Sequence, residues 1–219
     1  MDYEALALTL KLASCTTAVL LVLGTPLAAW LSSTRHRARV FIEAVVALPL
    51  VLPPTVLGFY LLFLLGPHTW LGALCERLFG STLPFSFAGL MVGSCLYSLP
   101  FLVGPLRSSF AAVDRRLVEA SWSLGVSRTS TFLRVIAPLS WPGIVSGTVL
   151  TFAHTVGEFG VVLMVGGNIP GATRTVSISI YDQMQSLDYA AASRTSALLL
   201  MFSLAVLMGT YTLQRRTFI

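Results

Sequence analysis

The chain contains 219 residues, of which 55% are hydrophobic and only 11% are charged, and its formal net charge is +5. Its mean hydropathy of +0.82 excludes an ordinary soluble domain and predicts an integral membrane protein. The positive charge does not predict a nucleic-acid partner, because no basic cluster alternates with aromatic residues on a solvated surface.

Five apolar segments are each long enough to cross a bilayer, which requires roughly 20 helical residues. They comprise residues 8–34, 41–66, 86–107, 137–165 and 195–214. Since helices satisfy their own backbone hydrogen bonds within lipid, the predicted fold class is all-α integral membrane. We therefore expect one domain, residues 1–219, folded as a five-span helical bundle. Glycine pairs at 89/93 and 143/147 favour close packing between spans of one chain over a contact between two chains.

The arginines predict the orientation of these spans. Ten of the fourteen basic residues lie after span one, between spans three and four, or after span five. Because basic residues mark cytoplasmic loops, we expect the N-terminus outside and the C-terminus in the cytoplasm. The acidic Asp2 and Glu4 are unlike the basic start of a signal peptide, so span one is expected to stay in the membrane. The scattered Cys15, Cys75 and Cys95 predict neither a disulfide framework nor a metal site, and no cofactor is expected.

Span two contains a proline-rich stretch, residues 48–55, which reads Leu-Pro-Leu-Val-Leu-Pro-Pro-Thr. Proline removes an amide donor and clashes with the preceding turn, so this helix must kink or break. A break that restarts at Thr55 would free polar backbone groups, which must line a wet cavity or be covered by protein. We therefore name Pro53, Pro54 and Thr55 as candidate pathway residues, and a simple kink covered by neighbouring helices is the equal alternative.

Glu158 is the one acidic residue deep in the apolar stretch from residue 135 to 166. An ionised carboxylate at the centre of a bilayer costs about 2.5 kcal/mol or more, which makes a functional role the default hypothesis. We expect Glu158 and Phe159 at a constriction of a translocation pathway, a gate. The alternatives are a carboxyl paired with His154, four residues earlier on the same helical face, or a carboxyl kept neutral by burial.

Residues 114–136, here the 114–136 loop, form a polar segment between spans three and four. Asp114 can cap a short helix that ends at Gly125, and Ser127 can cap a second helix. Two short helices that meet at a glycine make a compact projection on which a soluble partner can dock. The alternative is an amphipathic helix on the inner leaflet, but the many hydroxyl side chains leave this segment too polar to bury well in lipid.

The same loop resembles the coupling loop of ATP-binding-cassette (ABC) importer permeases. The pattern in that family is E-A-A-x-x-x-G followed by I-x-L-P, with Ser121 here in place of the second alanine and Ala137 in place of the leucine. The resemblance implies a type I importer permease with cytoplasmic coupling helices that sit in a groove of an ATPase subunit. The coupling residues that it implies are Glu119, Ala120, Ser121, Gly125, Ile136 and Pro138.

Three further segments make the resemblance specific to the molybdate permeases of this family. They are residues 48–58, Gly157-Glu158-Phe159-Gly160, and the stretch from Gly167 to Thr175. Tungstate is not separated from molybdate by these motifs, and the sulfate permeases are the nearest relatives. In the implied mechanism, substrate arrives at an outer loop that faces a binding protein. The residues expected in that loop are Asn168, Pro170, Gly171, Thr173 and Arg174.

A partner ATPase is also expected from the chain's own residues. A nucleotide-binding P-loop needs a lysine after its glycines, and the only lysine here is Lys11, at the start of span one. The chain is therefore expected to be no enzyme itself. The resemblance implies a second permease copy, two ATPase subunits and an external substrate-binding protein, in a bacterial cytoplasmic (inner) membrane and in contact with its lipid.

The favoured function is thus the permease subunit of an ATP-driven oxyanion importer, with molybdate as the expected substrate and tungstate as the other candidate. It is expected to work by alternating access driven by a separate ATPase. One alternative is a sulfate or thiosulfate importer permease. A second is an ion-coupled secondary transporter in which Glu158 and His154 titrate. A third is an intramembrane enzyme that uses the same two residues as acid and base, although no metal motif or nucleophile supports it.

Overall fold

This computed structural model describes residues 2–80 and 82–217, and every regular element within those ranges is helical. Side chains are not described at residues 78, 79 and 213–217, so the predicted cytoplasmic charges of Arg215 and Arg216 lie outside the described side chains. The helices are α1 (Tyr3–Ser33), α2 (Ala38–Val51), α3 (Pro54–Leu64), α4 (Trp70–Phe79), α5 (Phe87–Ala111), α6 (Arg115–Ser123), α7 (Arg128–Thr131), a π-helical turn (Phe132–Ile136), α8 (Ala137–Leu139), α9 (Trp141–Gly157), α10 (Gly160–Gly166), α11 (Val176–Gln185) and α12 (Tyr189–Thr217).

Three helices, α1, α5 and the 189–212 part of α12, are each long and apolar enough to cross a membrane. Two further crossings are possible if each of two bent pairs counts as one span. The helix axis bends by 113° between α2 and α3. It bends by 77° between the segment from Arg128 to Leu139 and α9. The upper count equals the five predicted spans. In that count, one additional crossing consists of α2 and α3, and the other consists of the segment from Arg128 to Leu139 and α9, which differs from the predicted span 137–165.

Helix α5 lies at the centre of the bundle, where it packs against α1, α2, α3, α9 and α10. Leu20 and Leu31 of α1 join Leu102 and Leu106 of α5 in the largest cluster of buried side chains. In lipid, helices gain from close packing rather than from the removal of apolar surface from water. The fit between α1 and α5 is accordingly tight. A Cβ placed on Gly24 would lie 2.8 Å from Leu102 Cδ2.

The glycines of the two predicted pairs lie at contacts within the chain. A Cβ on Gly93 of α5 would lie 3.0 Å from Val161 of α10. On α9, a Cβ on Gly143 or Gly147 would lie 3.1 Å from a backbone oxygen of α5, that of Pro105 or of Leu102. The prediction that these glycines pack within one chain is therefore confirmed.

Two helices lie in regions where the sequence predicted only loops. Helix α4 begins after Thr69, whose side chain accepts a hydrogen bond from the Gly72 amide. Helix α11 is capped in the same way by Thr175. Helix α12 packs mainly on α9 and α11, and only 11% of its apolar window is buried. Its remaining surface is left for lipid or for another protein chain.

The close approach of α9 to α5 predicts a difference between two glycine-to-alanine changes. The Gly147→Ala variant should lose about 1–3 kcal/mol of stability, because the new methyl group would press on Leu106 and on the Leu102 carbonyl. The matched variant is Gly104→Ala on α5, where a Cβ would meet nothing within 4 Å. Thermal unfolding of the two variants in the same lipid nanodiscs measures the difference, and equal melting temperatures would contradict this packing.

Candidate functional site

The first element of the candidate site is the break between α2 and α3. Helix α2 ends at Val51, and Leu52 and Pro53 are extended, with ψ of 137° and 135°. Pro54 then occupies the first helical position of α3, which suits proline because no amide is needed there. Span two is thus broken rather than smoothly kinked, which favours the first of the two interpretations of its prolines.

A second break lies at Glu158. Helix α9 ends at Gly157, and Glu158 has the extended values φ −67° and ψ 137°. Phe159 is also non-helical, and α10 begins at Gly160. A Cβ on Gly160 would lie only 2.6 Å from Pro54 Cβ. The two breaks are therefore in contact, although they lie about a hundred residues apart in the chain.

A cavity of about 550 Å³ lies where the two breaks meet, and we call it the break cavity. Four of the five predicted pathway residues line it, while Pro53 lies just before it in the chain. Its lining contains no lysine or arginine. The lining residues are Pro54, Thr55, Tyr97, Ala153, His154, Gly157, Glu158, Phe159, Gly160, Leu163 and Met164.

The Glu158 side chain is 4% exposed, and only one of its two carboxyl oxygens has a hydrogen-bond partner among the described residues. Its Oε2 accepts a hydrogen bond of 2.8 Å from the Ser94 hydroxyl of α5. Its Oε1 is buried and has no hydrogen-bond partner among the described residues. No salt bridge in the described part of the chain includes Glu158.

His154 is held by α5 rather than by Glu158. Its ring stacks on Phe101, with 3.8 Å between centroids, and also contacts Tyr97. Its Nδ1 lies 3.0 Å from the Ser98 hydroxyl, which also lies 2.9 Å from the Thr155 hydroxyl. The Thr155 hydroxyl donates its one proton to the Thr151 carbonyl, so it must accept from the Ser98 hydroxyl. The Ser98 proton is then used, and Ser98 accepts a hydrogen bond from Nδ1–H of His154. Although the sequence suggested a pair between His154 and Glu158, each side chain binds a different serine.

At the other end of α9, the 114–136 loop folds much as predicted. Asp114 caps α6 by accepting from the Arg116 amide, and Ser127 caps α7 by accepting from the Ser130 amide. Gly125 lies between the two helices with φ +77°, a left-handed conformation that favours glycine. Glu119 pairs locally with Arg115 at 2.9 Å, and both side chains are more than half exposed. Such a pair contributes little to stability.

Three large apolar side chains are exposed on this loop, two in helix α6 and one at its C-terminal cap. Helix α6 has no buried residue. The exposed fractions are 50% for Leu117, 44% for Trp122 and 83% for Leu124. Exposed apolar side chains of this size can contribute to a contact with another protein.

The predicted coupling residues take different positions within the loop. Glu119, Ala120 and Gly125 are exposed. The half-buried Ser121 bonds Thr131 at 2.9 Å and so ties α6 to α7. Ile136 ends the π-helical turn, and Pro138 lies in α8. A basic cavity of about 1030 Å³ lies beside the loop; its arginines are Arg35, Arg39, Arg115 and Arg128.

The third group of predicted residues forms the connection between α10 and α11, here the 166–175 loop. Thr173 is fully buried, and its hydroxyl donates to the Gly166 carbonyl at 2.6 Å and accepts from the Ile169 amide. Asn168, Pro170 and Gly171 are exposed, and Gly171 has φ +73°. Thr173 therefore shapes the loop from within, whereas the other three residues lie on its surface.

Arg174 fixes this loop to the rest of the bundle. Its Nε donates to Asn168 Oδ1 at 2.6 Å, and its guanidinium lies 3.5 Å from Asp182 of α11 and 3.9 Å from Asp2. Thr9 of α1 also accepts a hydrogen bond from the Val176 amide. The start of α1, the loop and α11 are thereby held together.

Sequence reasoning missed three side chains that complete these sites. Ser94 and Ser98 lie four residues apart on α5, the same spacing as His154 and Glu158, and that matched spacing was the available signal. Glu43 was missed as well. It accepts from Arg39 at 2.8 Å and from Arg107, and so joins α2 to α5.

The chain combines broken apolar helices beside a cavity with an exposed helical projection. This combination is typical of the class of membrane transport permeases. Residues 21–218 match the family model described as "Binding-protein-dependent transport system inner membrane component". The chain belongs to this family.

Known relatives support the same assignment. The chain is 52% identical over 214 residues to a protein of Azotobacter vinelandii named molybdenum transport system permease protein ModB, an alignment that covers 98% of this chain and 95% of that one. It is 35% identical to a probable sulfate transport system permease protein of Chlorella vulgaris, over 80% of this chain and 66% of that one. A bacterial alginate ABC transporter, solved with a pentasaccharide-bound periplasmic protein, shares the fold with TM-score 0.78 at 15% identity, covering 98% of this chain and 78% of that one.

The buried hydroxyl of Thr173 yields a test of the 166–175 loop. The Thr173→Val variant should lose about 1–3 kcal/mol of local stability, because it leaves the Gly166 carbonyl and the Ile169 amide without their partner. Thr173→Ser keeps the hydroxyl and serves as the control. Hydrogen exchange of amides 166–175 is expected to be faster in the valine variant alone, and equal protection in both variants would contradict this role.

Proposed function

We propose that this chain is the translocating subunit of an ATP-driven importer of molybdate, with tungstate as a second substrate. Two copies form the pathway, two ATPase subunits bind their cytoplasmic sides, and an external binding protein delivers the oxyanion. The chain spans a bacterial cytoplasmic membrane several times, with its N-terminus outside and its C-terminus inside. Its spans are close to residues 8–34, 41–66, 86–107, 137–165 and 195–214.

The choice of molybdate as substrate rests on the 52% identity to the molybdenum permease of Azotobacter vinelandii over nearly all of both chains. Sulfate is the second candidate. It is favoured by relatives named as probable sulfate permeases, but these match at 35% identity over a smaller part of their length. Molybdate and sulfate are both tetrahedral dianions, so the choice between them rests on sequence identity and not on the charge of the pathway.

The 114–136 loop supports coupling to an ATPase. Its exposed Leu117, Trp122 and Leu124 supply an apolar surface, and Glu119 and Arg115 supply a polar rim. Helix α9 begins one bend after this loop, at Trp141, and ends beside Glu158, so a movement of the loop that is passed on at Ser140 would reach the break cavity through α9. The coupling residues in this proposal are Glu119, Ala120, Ser121, Gly125, Ile136 and Pro138.

The outer end of the pathway is proposed to lie at the 166–175 loop, with Asn168, Pro170, Gly171 and Arg174 toward the binding protein and Thr173 supporting them. The gate comprises Pro53, Pro54, Thr55, Glu158 and Phe159. In the alternating-access cycle, closure of the ATPases would move α9 and open the break cavity to one side at a time.

Uptake by the reconstituted complex tests the substrate. The permease, its ATPase subunits and its binding protein are placed in proteoliposomes, and ATP-dependent accumulation of labelled molybdate, tungstate and sulfate is measured. We expect saturable molybdate uptake that requires both ATP and the binding protein and that is competed by tungstate. Uptake of sulfate alone would assign the second function. Uptake that follows a proton gradient and ignores ATP would assign an ion-coupled transporter.

The conformation of Gly125 yields a test of coupling. Gly125→Val forces a β-branched side chain into the left-handed region at a cost of about 1–2 kcal/mol. It is expected to reduce co-purification of the ATPase, or to leave ATP hydrolysis uncoupled from uptake. Gly125→Asn is the matched control, because asparagine tolerates this conformation. Glu119→Lys should weaken ATPase binding as well. Normal co-purification and uptake in Gly125→Val and Glu119→Lys would refute the assignment of this surface.

A further inference from the structure

An acidic residue in an anion pathway presents a conflict of charge. The break cavity holds Glu158 but no lysine or arginine, so a carboxylate there would repel the dianion that the chain is proposed to carry. The repulsion is absent when the Glu158 carboxyl is protonated and therefore uncharged. Ser94 donates to Oε2, a bond that the carbonyl oxygen of an uncharged acid can accept. Oε1 has neither a donor nor an acceptor partner among the described residues, so nothing there compensates a negative charge and its hydrogen-bonding capacity is left for a ligand.

The surroundings of Glu158 agree with an uncharged carboxyl. The side chain is 4% exposed and forms no salt bridge among the described residues. Its neighbour His154 uses Nδ1–H on Ser98, and its ring is held between Tyr97 and Phe101. A buried charge without a partner is costly, whereas a neutral carboxylic acid is both a donor and an acceptor.

A second donor lines the same cavity, at the N-terminus of α3. The first amides of a helix have no intrahelical acceptor and favour anions. Pro53 and Pro54 have no N–H, and the Val56 amide bonds the Pro53 carbonyl at 2.9 Å. The Thr55 amide is therefore left without a backbone acceptor among the described residues. The Thr55 hydroxyl belongs to the same exposed residue.

We infer that Glu158 and Thr55 together form a transient binding site for a tetrahedral oxyanion, in which the protonated Glu158 donates a hydrogen bond from Oε1 and Thr55 donates from its amide and hydroxyl. If the chain carries oxyanions as proposed above, this site holds them by hydrogen bonds from neutral donors in place of an ion pair. Ser94 is the positioning residue, because its bond to Oε2 fixes the rotation of the carboxyl.

Binding by neutral donors suits a transport step. A site on the pathway must be favourable enough for the ion to enter and weak enough for it to leave. Arginine would add a bidentate, charge-assisted contact that strengthens binding considerably. Because Oε1 is buried in this conformation, the anion gains access to it only after the residues around it rearrange.

Two substitutions of Glu158 by residues of similar size distinguish a need for hydrogen-bond donation from a need for the negative charge. Glutamine in place of Glu158 can accept from Ser94 through its carbonyl and donate through its amide, whereas methionine fills the space without either function. In the reconstituted complex, Glu158→Gln is expected to lower ATP-dependent molybdate uptake by less than about threefold. Glu158→Met should lower it by about tenfold or more, the loss of one hydrogen bond to a charged ligand. Glu76→Gln and Glu76→Met, on the exposed surface of α4, are the matched controls.

Thr55 tests the other side of the site. Thr55→Val keeps the shape but removes the hydroxyl, and it should raise the molybdate concentration for half-maximal uptake by about tenfold. Thr55→Ser should change it by less than about threefold. These variants carry the test if Glu158→Met fails to assemble with the ATPase, as judged by co-purification.

Three results would overturn the inference. Equal loss of uptake in Glu158→Gln and Glu158→Met, in complexes that still assemble and bind ATP, would mean that the carboxylate or its proton transfer is required. Wild-type uptake by Glu158→Met would reduce that residue to packing, and wild-type kinetics in Thr55→Val would exclude the Thr55 hydroxyl from the site. Failure of the wild-type complex to import any oxyanion would instead overturn the proposed function, and this site with it.

Discussion

The interface between α5 and α9 is the interaction on which the other sites depend. Gly143 and Gly147 let α9 approach the backbone of α5 closely. Hydroxyl groups then fix both ends of the contact. Near the 114–136 loop, Ser109 and Ser140 each donate to the other's carbonyl at 3.3 Å, and at the far end Ser94 bonds Glu158. Because apolar side chains pack against lipid as readily as against each other, such close backbone and polar contacts decide where α9 lies.

This interface also connects two sites that are distant in space. Helix α9 has 17 residues and is therefore about 25 Å long. A bend at Ser140 joins it to the 114–136 loop, and a break at Glu158 joins it to α10. A helix between two breaks moves as a rigid body more readily than it deforms. A partner that displaces the loop would thus move Glu158 relative to α5, as alternating access in the proposed function requires.

Features were predictable from the sequence when they depend on residues close together in the chain, and unpredictable when they depend on residues far apart. Asp114, Gly125 and Ser127 mark helix ends through contacts within a few residues, so the shape of the 114–136 loop was predicted correctly. The prolines of span two predicted a kink or a break, but the 113° angle depends on α5 and α10, against which α3 packs. The bond from Ser94 to Glu158 joins residues 64 apart in sequence, and no local pattern determines such a contact. Helices α4 and α11 have only ten residues each and are mixed in polarity, so neither was recognised beside the long apolar spans.

Glu158 illustrates why a single buried acid is difficult to interpret from sequence. A carboxyl with a purely structural role is expected to have both oxygens paired, since an unpaired buried oxygen costs stability. The structure pairs one oxygen and leaves the other without a partner among the described residues, in a side chain that lines a cavity. The cavity also receives the start of α3, where two consecutive prolines leave Thr55 as the first residue with an amide to donate. The two breaks thus bring hydrogen-bond donors together without a positive charge, and an anion in that position would be held by contacts that a small movement of α9 can remove.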